Sequence, residues 1–369
     1  MPKASETVLE IDLSALTHNF KYLKSKLQPN TKFLAVVKAF AYGSDSVAIA
    51  KHLETLNVDY LAVAYAKEGV LLRDEGITTP ILVLHPQPVN FKTIIERCLE
   101  PSIYSPRILD EFIKISESQE QKDYPVHIKF NTGLNRLGFW ENDVDHIVSK
   151  LNKTTSIKVK SLFSHLAASE DKNEIEFTKN QIKTFTSIAE KFKSKLDYSP
   201  WLHLCNTSGI INFPEGQLDM VRSGIGLYGF GNSATEDKQL KPIASLKSVI
   251  SQIHKIEKGE TVGYNRVYKA EGFETTATIP IGHADGITRI YGKGRGFVFI
   301  NGQKAPIIGN VCMDMIMVNI TGIDCKEGDE VIIFDGSHKA SSLAESSGTI
   351  SYEIITAISQ RVKRIIISG

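Results

Sequence analysis

The sequence predicts an α/β protein: an N-terminal (β/α)8 TIM-like barrel followed by a C-terminal mostly-β domain. Three observations carry that expectation. Eight short apolar runs recur between residues 33 and 229, with charged segments of helical spacing between them. Beyond residue 230 the chain changes to β-rich pieces and turn residues. Polar side chains collect at the ends of the eight runs, where a parallel barrel places its chemistry.

The runs are FLAVVKA (33–39), YLAVAYA (60–66), PILVLHP (80–86), PSIYS (101–105), VHIKFNTG (126–133), VKSLFSHLA (159–167), WLHLCNTSG (201–209) and DMVRSGIGLYG (219–229). Continuous apolar strands are buried on both faces, as in a parallel sheet covered by helices. The segment 174–196 shows the helical complement, with Phe177, Ile182, Phe185, Ile188 and Phe192 at helical spacing. The segment 231–242 is polar and reads as a linker. After it come the strand candidates 245–256, 274–282, 296–309, 311–320 and 329–336, with Asn301-Gly302 as a two-residue hairpin signal. The segment 351–364 reads as a closing helix. These marks divide the chain into a barrel over 8–232 and a β domain over 233–369, which residues 1–7 are able to join.

Bulk properties narrow the function. The formal net charge of +1 gives no electrostatic case for nucleic acid or an anionic membrane. Cys98, Cys205, Cys312 and Cys325 lie far apart, which argues against a zinc site or a disulfide framework in so large a chain. No run reaches the roughly 18 apolar residues of a membrane span, and the first residues lack a signal-peptide core. The expectation is a reduced, cytoplasmic protein that binds no metal.

The strand ends carry residues that a core would exclude. Lys38 ends the first run and Tyr42 follows it. His85, Asn131-Thr132-Gly133 with Arg136, Ser164-His165, Asn206-Thr207-Ser208-Gly209 and Arg222-Ser223-Gly224-Ile225-Gly226 end others. The turns NTSG and SGIG let backbone N–H groups approach an anion, and Thr207 adds a hydroxyl. Either turn alone reads equally as a plain βα connection, but barrels often bind phosphate after strands seven and eight. Burying an ammonium costs several kcal/mol, roughly, unless it is paired or neutralised. A strand-end lysine can also snorkel to solvent. A lysine facing a phosphate site suggests pyridoxal phosphate, held as an imine.

On these residues the chain resembles the alanine racemase family, the barrel-type pyridoxal-phosphate enzymes. AVVKAFAYG (35–43) is similar to the family's cofactor-lysine motif AVVKANAYG. NTGLNRLGF (131–139), RSGIGLYG (222–229), VGYNRVY (262–268), IGHADGITR (281–289), GNVCMDMIMVNI (309–320) and TISYEIITAISQRVKR (349–364) resemble further family segments in the expected order. The resemblance implies interconversion of L- and D-alanine by two bases, supplying D-alanine for peptidoglycan. It implies that Lys38 holds pyridoxal 5'-phosphate as an aldimine and acts as one base, with Tyr264 as the second. Arg222 would meet the pyridine nitrogen with His165 beside it. Tyr42, Thr207, Gly224, Ile225 and Tyr352 would hold the phosphate, and Arg136 and Met313 the substrate carboxylate. Lys129 matches a position that is carbamylated in many members. The resemblance further implies a homodimer in which Tyr264 serves the partner's site. Alternatives in the same frame are a racemase of broader amino-acid range, a barrel-type decarboxylase and a non-catalytic carrier of the cofactor. The chain departs from the family pattern at Phe40 (usually Asn), Asn131 (Asp), Leu134 (Met), Ser223 (Pro) and His283 (Tyr).

Overall fold

The computed structural model describes residues 4–231 and 233–367. The described residues fall into two compact units. One comprises Thr17–Ala41 and Ser46–Leu240. The other comprises the described parts of Met1–Leu16 and Lys241–Gly369, with Tyr42–Asp45.

The strand β1 (Val8–Asp12) belongs to the second unit. The barrel follows as β2 (Lys32–Val36), β3 (Tyr60–Val63), β4 (Ile81–Val83), β5 (Glu100–Ile103), β6 (Tyr124–Lys129), β7 (Ile157–Phe163), β8 (Trp201–His203) and β9 (Met220–Ser223). These eight close on themselves in sequence order, and β2 pairs in parallel with β9. Each lies within one of the eight apolar runs or overlaps its start. Phe33, Leu34 and Ala35 have no exposed area, which explains why the runs do not alternate. The helix Ile175–Lys193 buries Ile182, Phe185, Ile188 and Phe192 as its spacing predicts. Phe177 is the exception. It stays 39% exposed, with its ring over Gly133, where an added Cβ would come within 3.1 Å of it.

The second unit is a nine-stranded, mainly antiparallel sheet in the order β11 (Gln252–Ile256), β14 (Glu274–Ile279), β17 (Ile316–Asn319), β16 (Gln303–Ile308), β15 (Phe297–Ile300), β18 (Glu330–Phe334), β10 (Ala244–Val249), β1 and β19 (Lys363–Ile367). A short ribbon joins β12 (Thr261–Val262) to β13 (Tyr268–Lys269). Asn301 and Gly302 connect β15 to β16 with φ of 48° and 76°, the two positive values that a type I′ hairpin requires.

Two expectations need correction. Residues 8–16 do not open the barrel: β1 pairs with β10 and with β19, so the barrel unit begins at Thr17 and continues to Leu240. The closing segment is not one helix to residue 364. The helix Ser351–Thr356 ends, and Lys363–Ile367 becomes β19, parallel to β1. Three consecutive β-branched residues, Ile365, Ile366 and Ile367, favour that strand. The linker also holds a helical turn, Ala234–Asp237, capped by the Ser233 hydroxyl, which accepts from the Glu236 N–H at 3.2 Å.

Candidate active site

The barrel unit gathers four cations at one place. Lys38, at the end of β2, is pulled below its ordinary pKa by burial and then by Arg136, against which Glu68 acts. Lys129, the last residue of β6, is 7% exposed. Burial, then Arg136, Arg222 and Lys38, bring its amine down to about 8. Arg222 on β9 is buried, and burial brings it down to about 10, so it stays protonated at neutral pH. Among the described residues no carboxylate lies within ion-pair distance of any of the four. A cation cluster with Lys129 and Arg222 buried and no ion-paired carboxylate is costly, and it is a ready receptor for anionic ligands.

Arg222 is fixed by five contacts. Nη1 donates to His203 Nδ1 (2.9 Å) and to the His203 carbonyl (3.1 Å). Nη2 donates to the carbonyls of Ser164 (2.6 Å) and Leu204 (3.0 Å) and to His165 Nδ1 (3.1 Å). Nε makes no protein hydrogen bond among the described residues. His165 must therefore accept at Nδ1. Burial and then Arg222 hold its imidazole well below the usual histidine range, so it is neutral. Gln181 ties the two neighbouring loops, donating to the His165 carbonyl (3.3 Å) and the Thr132 hydroxyl (3.4 Å).

The two glycine-bearing turns pack against each other. Thr207 Oγ1 lies 3.0 Å from Ser223 Oγ and accepts from the Gly226 N–H at 3.4 Å. The Ser223 departure thus supplies a hydroxyl clamp on Thr207 as well as a freer backbone. A Cβ at Gly226 would come within 2.6 Å of Thr207 Cγ2, so the close approach needs glycine. The buried N–H groups of Gly224 and Ile225 have no protein acceptor among the described residues. Buried N–H groups are rarely left so, and they suit an anion.

Loop 131–139 presents Arg136. The Asn131 side chain accepts from the N–H groups of Gly133 (3.2 Å) and Asn135 (3.0 Å) and donates to Asn135 Oδ1 (2.8 Å). Arg136 itself is exposed.

The chain after Lys38 was not legible in the sequence. Ala39, Phe40, Ala41 and Tyr42 all have φ near +50°, one left-handed turn. Such geometry costs L-residues roughly 1–2 kcal/mol each. Glu68 anchors the start, accepting the Ala39 N–H at 2.6 Å with one oxygen and the N–H groups of Ala64 (2.7 Å) and Tyr65 (3.1 Å) with the other. Glu68 was missed because nothing in its helix marks it as more than a first-turn acid.

In the second unit, Tyr42 and Tyr352 face each other with ring centroids 6.0 Å apart. Burial pushes the Tyr42 phenol up. Tyr264 is 70% exposed and Met313 59%. Asn310 donates to the Tyr264 carbonyl at 3.1 Å. The N–H groups of His283 and Ala284 bond the carbonyls of Cys312 (2.9 Å) and Met313 (3.0 Å), which sets exposed His283 beside Met313. Arg361 fastens both loops, donating to Asp285 (2.6 Å) and Asp314 (2.7 Å).

A closed parallel barrel with a cationic mouth and unpaired backbone donors, joined to a mostly-β unit, defines the class: a two-unit barrel enzyme built for an anionic ligand. Residues 11–231 match the family described as "Alanine racemase, N-terminal domain", and residues 243–366 match "Alanine racemase, C-terminal domain". An alanine racemase of Clostridium novyi is 37% identical over 372 residues, covering 98% of this chain and 95% of that protein. A solved alanine racemase of Clostridium difficile superposes with a TM-score of 0.93 at 36% identity, covering 100% of this chain and 97% of that one. The alanine racemase of Bartonella henselae, described with covalently bound pyridoxal phosphate, gives a TM-score of 0.89 at 28% identity over 99% and 100% of the two chains. The chain belongs to the alanine racemase family. Among its described residues no helix is long and apolar enough to cross a membrane.

Proposed function

We propose that the protein interconverts L- and D-alanine with pyridoxal 5'-phosphate held on Lys38, supplying D-alanine for peptidoglycan. The observation that carries this reading is the cation cluster of Lys38, Lys129, Arg136 and Arg222, which holds no carboxylate partner of its own. The donor set fits the cofactor's chemistry. Arg222 has one guanidinium nitrogen left to donate, which suits a pyridine nitrogen. Gly224 and Ile225 offer two unpaired N–H groups to a phosphate, with the Thr207 hydroxyl beside them. The family resemblance, not the fit of the barrel unit, assigns Tyr42 and Tyr352 to the phosphate. Pyridoxal phosphate, when bound, supplies the carbonyl that takes up the amino group and the electron sink that acidifies Cα.

The chain's own groups move the proton. Lys38 carries a depressed pKa, so Nζ is the more easily neutral amine that a base requires. It takes or returns the Cα proton on one face. The partner subunit's Tyr264 does so on the other, in a homodimer with two shared sites. Exposed Tyr264, Met313 and Ile350, at 70%, 59% and 59%, support a covering subunit in the working assembly. Arg136 orients the substrate carboxylate, and the family resemblance assigns Met313 to the same ligand. Because Arg222 stays protonated, it donates to the ring nitrogen without passing on a proton, and this favours rapid return of the Cα proton. We further assign Lys129 as a carbamylation site. Its neutral amine adds carbon dioxide and releases a proton, and the new carboxylate answers Arg136.

Incubation with L-alanine in deuterated water tests the reading. D-alanine carrying deuterium at Cα is expected. An amine with carbon dioxide, or unchanged L-alanine, overturns it.

A further inference from the structure

Behind Arg222 a chain of hydrogen bonds descends through the barrel interior. Arg222 Nη1 donates to His203 Nδ1 (2.9 Å). His203 Nε2 lies 2.8 Å from Ser161 Oγ, and Ser161 Oγ lies 2.6 Å from His127 Nδ1. His127 Nε2 lies 2.7 Å from Glu100 Oε2, and the Tyr60 hydroxyl donates to the same oxygen at 3.1 Å. His127, Ser161 and His203 have no exposed area. Strand register makes the alignment. A shift between Val126 and His127 pairs His127 with Ser161, and Phe163 pairs with His203 on the next strand. Barrel interiors are ordinarily filled by layers of branched apolar residues. Here six strands, β3 and β5 to β9, give up positions to one continuous polar path.

With a neutral His127, the direction of every proton on this path follows from its two ends. A guanidinium only donates, so His203 Nδ1 must accept. The imidazole is neutral, since burial and then Arg222 hold it well below the usual range. Its single proton is therefore on Nε2 and goes to Ser161 Oγ. Ser161 then gives its own proton to His127 Nδ1. His127 in turn carries its proton on Nε2 and donates it to the Glu100 carboxylate. The reverse order would require His203 to accept at both nitrogens or to turn an N–H toward Arg222. With His127 neutral, a donor-only group at one end and an acceptor-only group at the other leave this arrangement, and in it His203 carries its proton on Nε2.

We propose that Glu100 is a positioning residue for the active site: through His127 and Ser161 it adds a second hold on the Nε2–H tautomer of His203, which the Arg222 contact by itself only favours. Nδ1 then remains an acceptor, and the Arg222 guanidinium is held with Nε directed to the ring nitrogen of the bound ligand. This rests on the pyridoxal phosphate reading given above.

The test uses ¹⁵N-labelled holoenzyme and two-bond ¹H–¹⁵N spectra of the imidazoles, with kinetics on the same samples. The parent and Glu100→Gln, which keeps an acceptor oxygen, should show His203 as one Nε2–H tautomer. Glu100→Leu and Ser161→Ala should show mixed tautomers, with kcat lowered about fivefold and KM within about twofold, the scale of one lost hydrogen bond. Ser161→Ala removes a single oxygen and gives the answer even if Glu100→Leu does not fold. An unchanged tautomer in the broken variants, an Nδ1–H His203 in the parent, a Gln variant that behaves as the Leu variant, or mixed tautomers with unchanged kcat each overturn the proposal. Absence of D-alanine formation by the parent would instead refute the functional reading, because the tautomer is read independently of turnover.

Discussion

The two units carry their candidate groups in opposite ways. The barrel buries Lys129 and Arg222 and fixes Arg222 with five hydrogen bonds. The β unit leaves Tyr264 and Met313 largely open and fastens only the backbone that bears them, through Asn310 and the Asp285–Arg361–Asp314 clamp. A buried group acts on its own fold, so changing it alters stability as well as chemistry. An exposed group on a braced loop acts on whatever covers it, so changing it should alter chemistry alone.

The largest expected effects separate these cases. Lys38→Ala should lower D-alanine formation by about 10³-fold or more, because it removes both tether and base. Tyr264→Phe should lower it by about 10²–10³-fold through loss of one acid–base group. Its unfolding free energy should stay within about 0.5 kcal/mol of the parent, as for other exposed positions. Mixing the two inactive variants under conditions of subunit exchange should restore activity, since one hybrid site then holds both Lys38 and Tyr264. A mixture that stays inactive would return Tyr264 to its own barrel and break the comparison.

Lys129 sharpens the barrel side. Its folded pKa of about 8 lies below the ordinary 10.5, so the unfolded chain binds more protons between those values. Stability should therefore rise as pH climbs from about 8 to about 10.5 and then level off, a gain of about 3 kcal/mol for one such group. Denaturant melts at pH 7.5 and 10 should show most of that gain in the parent and its absence in Lys129→Met. Bicarbonate should remove the pH dependence from the parent if the amine is converted to a carbamate. A gain that survives bicarbonate counts against carbamylation.

What the sequence made legible was local. The eight apolar runs, the helix pattern at 182–192 and Asn301-Gly302 each state their structure within a few residues, and the strand-end cluster followed from the barrel. What it concealed depends on closure and register. Val8–Asp12 reads as any strand, and only its pairing with β10 and β19 assigns it to the sheet. His127, Ser161 and His203 lie up to 76 positions apart inside apolar runs, and a one-residue register shift aligns them. No periodicity announces that.

The left-handed turn is the remaining feature without a local signal, and Phe40 is the place to probe it. Four consecutive L-residues at positive φ resist their own geometry, so neighbouring structure must hold them. Glu68 does so at Ala39. Phe40 lacks the short polar side chain that makes asparagine tolerant of this region. If the turn is strain held from outside, Phe40→Asn should stabilise the protein by up to about 1 kcal/mol and leave kcat within about twofold, read by denaturant melts and D-alanine formation. If the Phe40 ring itself packs the turn in place, the same change should destabilise by more than about 1 kcal/mol. The second outcome would make this turn a packed element like the rest of the barrel and would narrow the contrast between rigid core and braced loop to the β unit alone.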